Sequence, residues 1–277
     1  MYIECVVVCV NYADFLAHTL PHNKQHFDHM IVVTSPEDKD TQDVCTHYNV
    51  ECLVTREMTT NGDPFNKAKG INVALQYLSK RDWVVHLDAD MYLPPLTRGI
   101  LERIQLDKNN IYGIDRMMCP TFEEWSEYIR KPTPIHTGWV YIHPTIFPMG
   151  VRIGEFMSDG YEPIGFFQMW HPNTSGVKLY PETHGAADHT DVQHAKKWNR
   201  KNRALIPEII GIHLDSEDLN LKEMGKNWNG RKTKMFGYSP VEPEKTHKFP
   251  WVTIGWVVAA TAAGGAIAHV LLTNNII

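Results

Sequence analysis

Hydrophobic positions along the first 90 residues fall into two alternating periods. Ile3 to Val10 is an almost unbroken apolar run, the pattern of a strand buried on both faces. Ala13 to Leu20 follows as a first helix, ended near Pro21. Met30 to Thr34 is a second β-rich run. Ser35-Pro36-Glu37-Asp38 reads as a helix start, with Ser35 as cap and Pro36 at the first helical position, and that helix extends to about His47. Val50 to Val54 is a third strand, and Thr59 to Pro64 is polar. Lys67 to Leu78 carries apolar residues at 68, 71, 74, 75 and 78, a helical spacing. Trp83 to Leu87 is a fourth buried strand, and Asp88-Ala89-Asp90 follows it directly.

Four strands alternating with helices predict a mostly parallel sheet with helices on both faces. Ligands of such sheets bind beyond the carboxyl ends of the strands. Asn11, Tyr12, Thr34, Arg56 and Asp88 to Asp90 all lie at or just after strand ends, so polar groups from four strands converge on one edge. The second half is less regular. Leu96 to Gln105 reads as a helix, Ile111 to Arg116 as a strand, and Phe122 to Ile129, with its three glutamates, as a short helix. Seven prolines and several aromatics between Lys131 and Gly185 predict loops and short strands around a pocket. His189 to Lys201 reads as a helix and Ile209 to His213 as a strand.

With 277 residues, 43% hydrophobic and 21% charged, the chain is long and apolar enough for one large α/β domain or two small ones. The net charge of −5 and the absence of any basic tract of five residues disfavour a nucleic-acid binder. The densest basic cluster, Lys196-Lys197 with Arg200 to Arg203, reads as a solvated helix face ahead of a phosphate contact. Five cysteines, at 5, 9, 45, 52 and 119, are odd in number and form no CxxC pair, which excludes a disulfide framework or zinc ribbon and fits a reducing compartment.

The C-terminus changes character. From Phe249 to Ile277 there is no Asp, Glu, Lys or Arg, and 251–272 is 22 mostly apolar residues, enough to cross a bilayer core as a helix. Lys245 and Lys248 precede it, so the positive-inside rule predicts a tail-anchored protein with its main domain in the cytoplasm. A buried or oligomer-forming helix is the competing reading.

Asp88-Ala89-Asp90 carries the chemistry. Residues i and i+2 of a strand face one side, and two adjacent carboxylates repel unless a cation lies between them. Hard oxygen donors suit Mn²⁺ or Mg²⁺, which can bridge a diphosphate and offset the charge growing on a leaving nucleotide. An acidic turn after a strand is the plainer alternative, and the preceding apolar strand favours function. Lys67 is a candidate for the diphosphate, or a solvated helix lysine.

At these residues the chain resembles the GT-A glycosyltransferases, closest to the family 2 type. The resemblance rests on Val8-Cys9-Val10-Asn11-Tyr12, on Lys67-Ala68 with Ile71-Asn72-Val73-Ala74, and on the run from Asp82 to Asp90 with Pro94. It is good over 1–95, looser to about 240 and absent from the tail. It implies an α/β fold of the GT-A, Rossmann-like kind, with a mostly parallel sheet and flanking helices, to which the hydropathy of the tail adds the C-terminal hydrophobic helix. Residues 1–95 would be the nucleotide-sugar-binding half, 96–240 the acceptor and catalytic half of the same domain, and 241–250 a linker. The end of the first strand, Asn11 and Tyr12, would hold the nucleotide, and Asp88 and Asp90 the metal and donor diphosphate.

GT-A enzymes of this kind often add a late histidine to the metal site. His213 fits by following a strand, with His184, His189 and His194 as competitors among 15 histidines. The family's inverting members use an Asp or Glu as base. Asp191, near the start of a predicted helix where the macrodipole favours a carboxylate, is the choice, and Asp188 is not separable from it by sequence. Asp215 and Glu217 are fallbacks, and the family's more familiar Glu-Asp pair is absent. Gly165 to Trp170 is an aromatic stretch with Gln168 that reads as core ahead of sugar contact, and Asn227 to Arg231 is a candidate closing loop. The expected partners are a nucleoside diphosphate sugar and a saccharide, lipid-linked or protein acceptor. A nucleotidyltransferase is the enzymatic alternative, although no Gly-rich basic loop follows the first strand. A membrane-anchored binding or scaffold protein is the non-enzymatic one.

Overall fold

The computed structural model describes residues 1–62, 65–119, 122–131, 151–152, 156–157, 160–176, 178–182 and 187–214. All of them belong to the unit Met1–Pro240. The tail at 251–272, the loop at 227–231, Asp215, Glu217 and His184 lie outside the described residues. Among the described residues no helix is long and apolar enough to cross a membrane.

The strands are β1 (Ile3–Val8), β2 (His29–Thr34), β3 (Glu51–Val54), β4 (Trp83–Leu87), β5 (Met91–Tyr92), β6 (Ile111–Cys119), β7 (Val151–Arg152), β8 (Phe156–Met157), β9 (Gly160–Tyr161), β10 (Phe167–Trp170) and β11 (Arg203–Leu214). The helices are α1 (Ala13–Asn23), α2 (Lys39–Tyr48), α3 (Lys67–Tyr77), α4 (Thr97–Arg103), α5 (Phe122–Arg130), the single turn α6 (Pro172–Ser175) and α7 (Ala187–Ala195). The main sheet runs β3-β2-β1-β4-β10-β6-β11-β5, with β7 on β6.

The expected parallel sheet is therefore half right. β3, β2, β1 and β4 are parallel, and so are β6 and β11, but β10 runs antiparallel between β4 and β6, and β5 and β7 are antiparallel to their neighbours. The sheet is mixed. Phe167 to Trp170 returns toward the first half and covers the edge that β4 would otherwise expose. All four of its residues are buried, as a strand between two partners requires.

Strand alternation sorts the core into two layers. Ile3, Cys5 and Val7 of β1 and Trp83, Val85 and Leu87 of β4 pack with Leu16 and Leu20 of α1 and Cys45 of α2. Val6, Val8 and Val84 face the other way, onto Ile71 and Leu75 of α3 and, further out, Trp170 and Trp198. Fully burying an Ile71-sized side chain contributes roughly 1.5–3 kcal/mol. Gly70 lets α3 lie close to β1, since a Cβ there would stand 2.8 Å from Met58 Sδ and 3.3 Å from a Val8 methyl.

Several helix boundaries differ from expectation: α7 ends at Ala195 rather than Lys201, α4 is shorter at both ends, and two differences have a visible cause. α1 continues past Pro21 to Asn23. Pro21 has no N–H for the Ala17 carbonyl, and the Tyr48 hydroxyl donates to that carbonyl at 3.4 Å. α2 starts three residues later than Pro36, because Asp38 caps it by accepting from the Thr41 N–H at 3.1 Å.

Candidate functional site

The Asp88-Ala89-Asp90 segment is a turn rather than a strand: the Met91 N–H bonds the Asp88 carbonyl at 3.2 Å. The two carboxylates accordingly take different partners. Asp88 directly follows β4 and continues the alternation of Val84 and His86 on the α3 face. There Lys67 Nζ donates to Asp88 Oδ1 at 2.6 Å and to Asp191 Oδ2 at 3.3 Å. Lys67 is 4% exposed and Asp191 likewise 4%, so this is a buried carboxylate–ammonium–carboxylate chain. Burial works against the lysine charge, and Asp191 and Asp88 more than offset it, holding the ammonium above its ordinary range. For Asp88, burial outweighs Lys67 and, with Asp90 nearby, leaves the carboxyl above its usual range.

Asp90 turns toward β11. His213 stands opposite Met91 in the β11–β5 register, and its Nε2 is 3.1 Å from Asp90 Oδ2. Burial opposes the charge on Asp90, but His213, Arg116 and Lys67 together hold it below the usual carboxylate range. Asp88, Asp90, His213, Lys67 and Asp191 are thus brought together from β4, the turn after it, β11, α3 and α7.

Asp191 lies in the second turn of α7, which begins at Ala187, so it sits deeper in the helix than expected; Asp188 is in the first turn. What holds Asp191 is local packing. A Cβ on Gly165 would fall 1.5 Å from Asp191 Oδ2, so only glycine at 165 leaves room for that carboxylate. Gln168 Nε2 donates to the Asp191 carbonyl at 2.9 Å and to the Pro163 carbonyl at 2.7 Å. Its Oε1 faces the Tyr180 hydroxyl and His194 Nδ1, the latter at 2.8 Å. Gln168 is therefore a buried brace and not a sugar contact. His194, pushed down to about 3 by burial, stacks on Tyr180 with ring centroids 3.7 Å apart.

Of the remaining donor-side candidates, Asn11 and Thr34 gather around Asp38. Its Oδ2 accepts from the Asn11 N–H at 2.7 Å and from the Thr34 hydroxyl at 3.1 Å. Asn11 takes a left-handed backbone, φ 58°, which Asn tolerates better than most residues. Tyr12 precedes α1 and packs on Phe15. Arg56 points to solvent in an ion pair with Glu37 at 2.7 Å, both largely exposed. The basic cluster near 200 has a structural use: Arg203 and Lys196 reach the buried Glu162 at 3.1 and 3.4 Å.

No protein-family model and no curated protein matches this chain. Among solved structures it is similar to glucosyl-3-phosphoglycerate synthase from Mycobacterium tuberculosis. The complex of that enzyme with Mn²⁺, UDP-glucose and phosphoglyceric acid is 13% identical over 81% of this chain and 74% of that one, with a TM-score of 0.49. Its complex with UDP is 14% identical over 81% and 75%, with a TM-score of 0.45.

The residues present can be tested for a divalent cation. Asp90 Oδ1 is buried and has no hydrogen-bond partner among the described residues. Asp90 Oδ2 and His213 Nε2 lie 3.1 Å apart as a hydrogen-bonded pair, near enough that one ion could be held by both in place of that bond. Among the described residues no three His, Cys, Asp or Glu side chains form a ready cage. Two protein donors with the other positions left to phosphate and water is how Mg²⁺ is commonly held.

Sequence reasoning missed His86. It is wholly buried, its Nε2 lies 3.6 Å from Asp88 Oδ1, and neither ring nitrogen has a hydrogen-bond partner among the described residues. Burial, with Lys67 and His194 nearby, drives its pKa well below the usual value, so it is neutral. The one available signal was a lone polar residue inside the apolar run Trp83 to Leu87.

Proposed function

We propose that this chain is a metal-dependent glycosyltransferase that moves a sugar from a nucleoside diphosphate sugar to an acceptor hydroxyl with inversion. The observation that carries the proposal is the Lys67 ammonium held between Asp88 and Asp191 beside the Asp90–His213 pair, all at the carboxyl edge of the parallel strands. Asp90 and His213 are the residues that would hold Mn²⁺ or Mg²⁺, which when bound offsets negative charge on a departing diphosphate. Lys67, a permanent cation in this setting, adds to the same positive field. Asn11, Tyr12 and Thr34 border the nucleotide side. Asp191 takes the acceptor proton once Lys67 turns to the diphosphate, with Asp188 in the preceding turn as the second candidate.

Turnover with a panel of UDP- and GDP-sugars and Mn²⁺ tests this reading. Nucleoside diphosphate release should be abolished by EDTA and fall at least about 100-fold in Asp90→Asn and Asp191→Asn, the range for metal partners and general bases. The glycoside product should carry the anomeric configuration opposite to the donor, read from its proton coupling constant. Release of pyrophosphate instead would give a nucleotidyltransferase. Turnover indifferent to EDTA and to Asp90→Asn would sink the metal-dependent mechanism.

A further inference from the structure

Helix α1 does more than pack. Thr19 Oγ1 donates to the Ala89 carbonyl at 2.6 Å, Asn23 Nδ2 donates to the Met91 carbonyl at 2.6 Å, and Asn23 Oδ1 accepts the Leu93 N–H at 2.8 Å. Thr19 and Asn23 are one turn apart and share a helix face. Ala89 and Met91 are two residues apart, so an i, i+4 pair on the helix meets an i, i+2 pair of carbonyls on the turn and β5. All three bonds are shielded from water, Thr19 being 1% and Asn23 2% exposed.

The pairing has a strand-like logic. The C=O of residue 91 and the N–H of residue 93 face the same edge of an extended chain, and a carboxamide offers the complementary donor and acceptor. Asn23 thus stands where a neighbouring strand would. On its other edge β5 is paired with β11, Tyr92 against Ile212 and Met91 against His213, and the Leu214 N–H bonds the Asp90 carbonyl at 2.8 Å. The backbone that carries Asp90 is therefore gripped from both sides, by β11 and by two side chains of α1.

We infer that Thr19 and Asn23 are positioning residues for the divalent-cation site: they press the 89–93 backbone against β11, keep the Asp90 side chain within reach of His213, and so raise cation and diphosphate affinity without touching either. This rests on the reading of Asp90 and His213 as metal ligands.

The test is Mn²⁺ titration of the full chain by electron paramagnetic resonance, with Mn²⁺ alone and with Mn²⁺ plus UDP, beside hydrogen exchange of the 89–93 amides in metal-free protein. Thr19→Val keeps the shape and removes the donor, and Thr19→Ser restores it. Asn23→Asp keeps the acceptor and sets an oxygen against the Met91 carbonyl. Mn²⁺ affinity should fall about 10-fold or more in Thr19→Val and Asn23→Asp, as for other outer partners of metal ligands, and recover in Thr19→Ser. Exchange at 89–93 should quicken in the two weakened variants while melting of the rest stays close to wild type. If the variants fold and bind Mn²⁺ as wild type does, the inference fails alone. Wild-type protein that binds no Mn²⁺, with or without UDP, removes the metal reading and this inference with it. Should Asn23→Asp not fold, the Thr19 pair decides.

Discussion

Gly165 has no side chain because Asp191 occupies the space. A Cβ there would lie 1.5 Å from Asp191 Oδ2 and 2.0 Å from its Cγ, contacts no rotamer change at 165 can relieve. Either the carboxylate swings away, breaking its 3.3 Å bond to Lys67, or the loop before β10 shifts. Gly165→Ala should cost about 1–3 kcal/mol of stability, the usual range for overpacking, in urea denaturation, and should lower turnover as well. A variant as stable and active as wild type would mean that Asp191 is not held where the structure has it. Lys67 was legible in the sequence as a candidate cation of α3. Its partners were not, because Asp88 lies 21 residues and Asp191 124 residues away along the chain.

At the scale of elements, α3 clamps the segment that leads to α7. Asn72 Nδ2 donates to the Tyr180 carbonyl at 2.9 Å and to Glu182 Oε1 at 2.8 Å, and Asn72 Oδ1 accepts the Tyr180 N–H at 2.7 Å. Asn66, whose side chain caps α3, also donates to the Glu182 carbonyl at 3.1 Å. Among the described residues segment 178–182 pairs with no strand, so these side chains satisfy its backbone. Asn72→Ala leaves the buried Tyr180 amide and carbonyl unmatched. It should cost about 2–4 kcal/mol, from one to two unsatisfied groups, and hydrogen exchange at Tyr180 should rise before exchange in β1 or β4 does. Equal protection at Tyr180 in variant and wild type would show that the clamp is redundant. The helix starts and stops follow the same lesson. Pro21 and Ser35-Pro36 are sound local signals, but Tyr48 and Asp38 supplied the hydrogen bonds that moved both boundaries.

Across the whole molecule, polar groups are buried in quantity, and their protonation links stability to pH. His26 is 1% exposed and held down to about 4, by burial first, against a backbone bond at Leu93 and with Arg98 and His22 adding to the effect. Above pH about 6.5 the ring is neutral folded and unfolded alike. As pH falls, only the unfolded chain takes the proton, until the folded ring titrates near 4. Stability is therefore full above pH about 6.5 and declines toward pH 4, by about 1.4 kcal/mol per unit, or about 2 kcal/mol at pH 5. At His29, nearer the surface, burial lowers the pKa but Glu51 and Glu4 outweigh it and raise it, so this ring works weakly the other way. Urea denaturation at pH 7.5 and 5.0 should show wild type losing about 2 kcal/mol more than His26→Gln; equal losses would mean that folded His26 takes up its proton at an ordinary pH.

The local pattern of the chain was enough for β1, β2, β3, β4 and α3, and for the edge on which Asp88 and Asp90 lie. Apolar periodicity reports which face of an element is buried, and parallel connection aligns the strand ends. It was not enough for β10, whose place between β4 and β6 turned a parallel sheet into a mixed one, because an apolar run carries no sign of which strands will flank it. Nor did the pattern disclose that Asp88 and Asp90 part company, one to Lys67 and one to His213, or that Thr19, Asn23 and Gly165 shape their surroundings. Those are contacts between residues distant in sequence, and only the packing of helices on the sheet brings them within hydrogen-bonding reach.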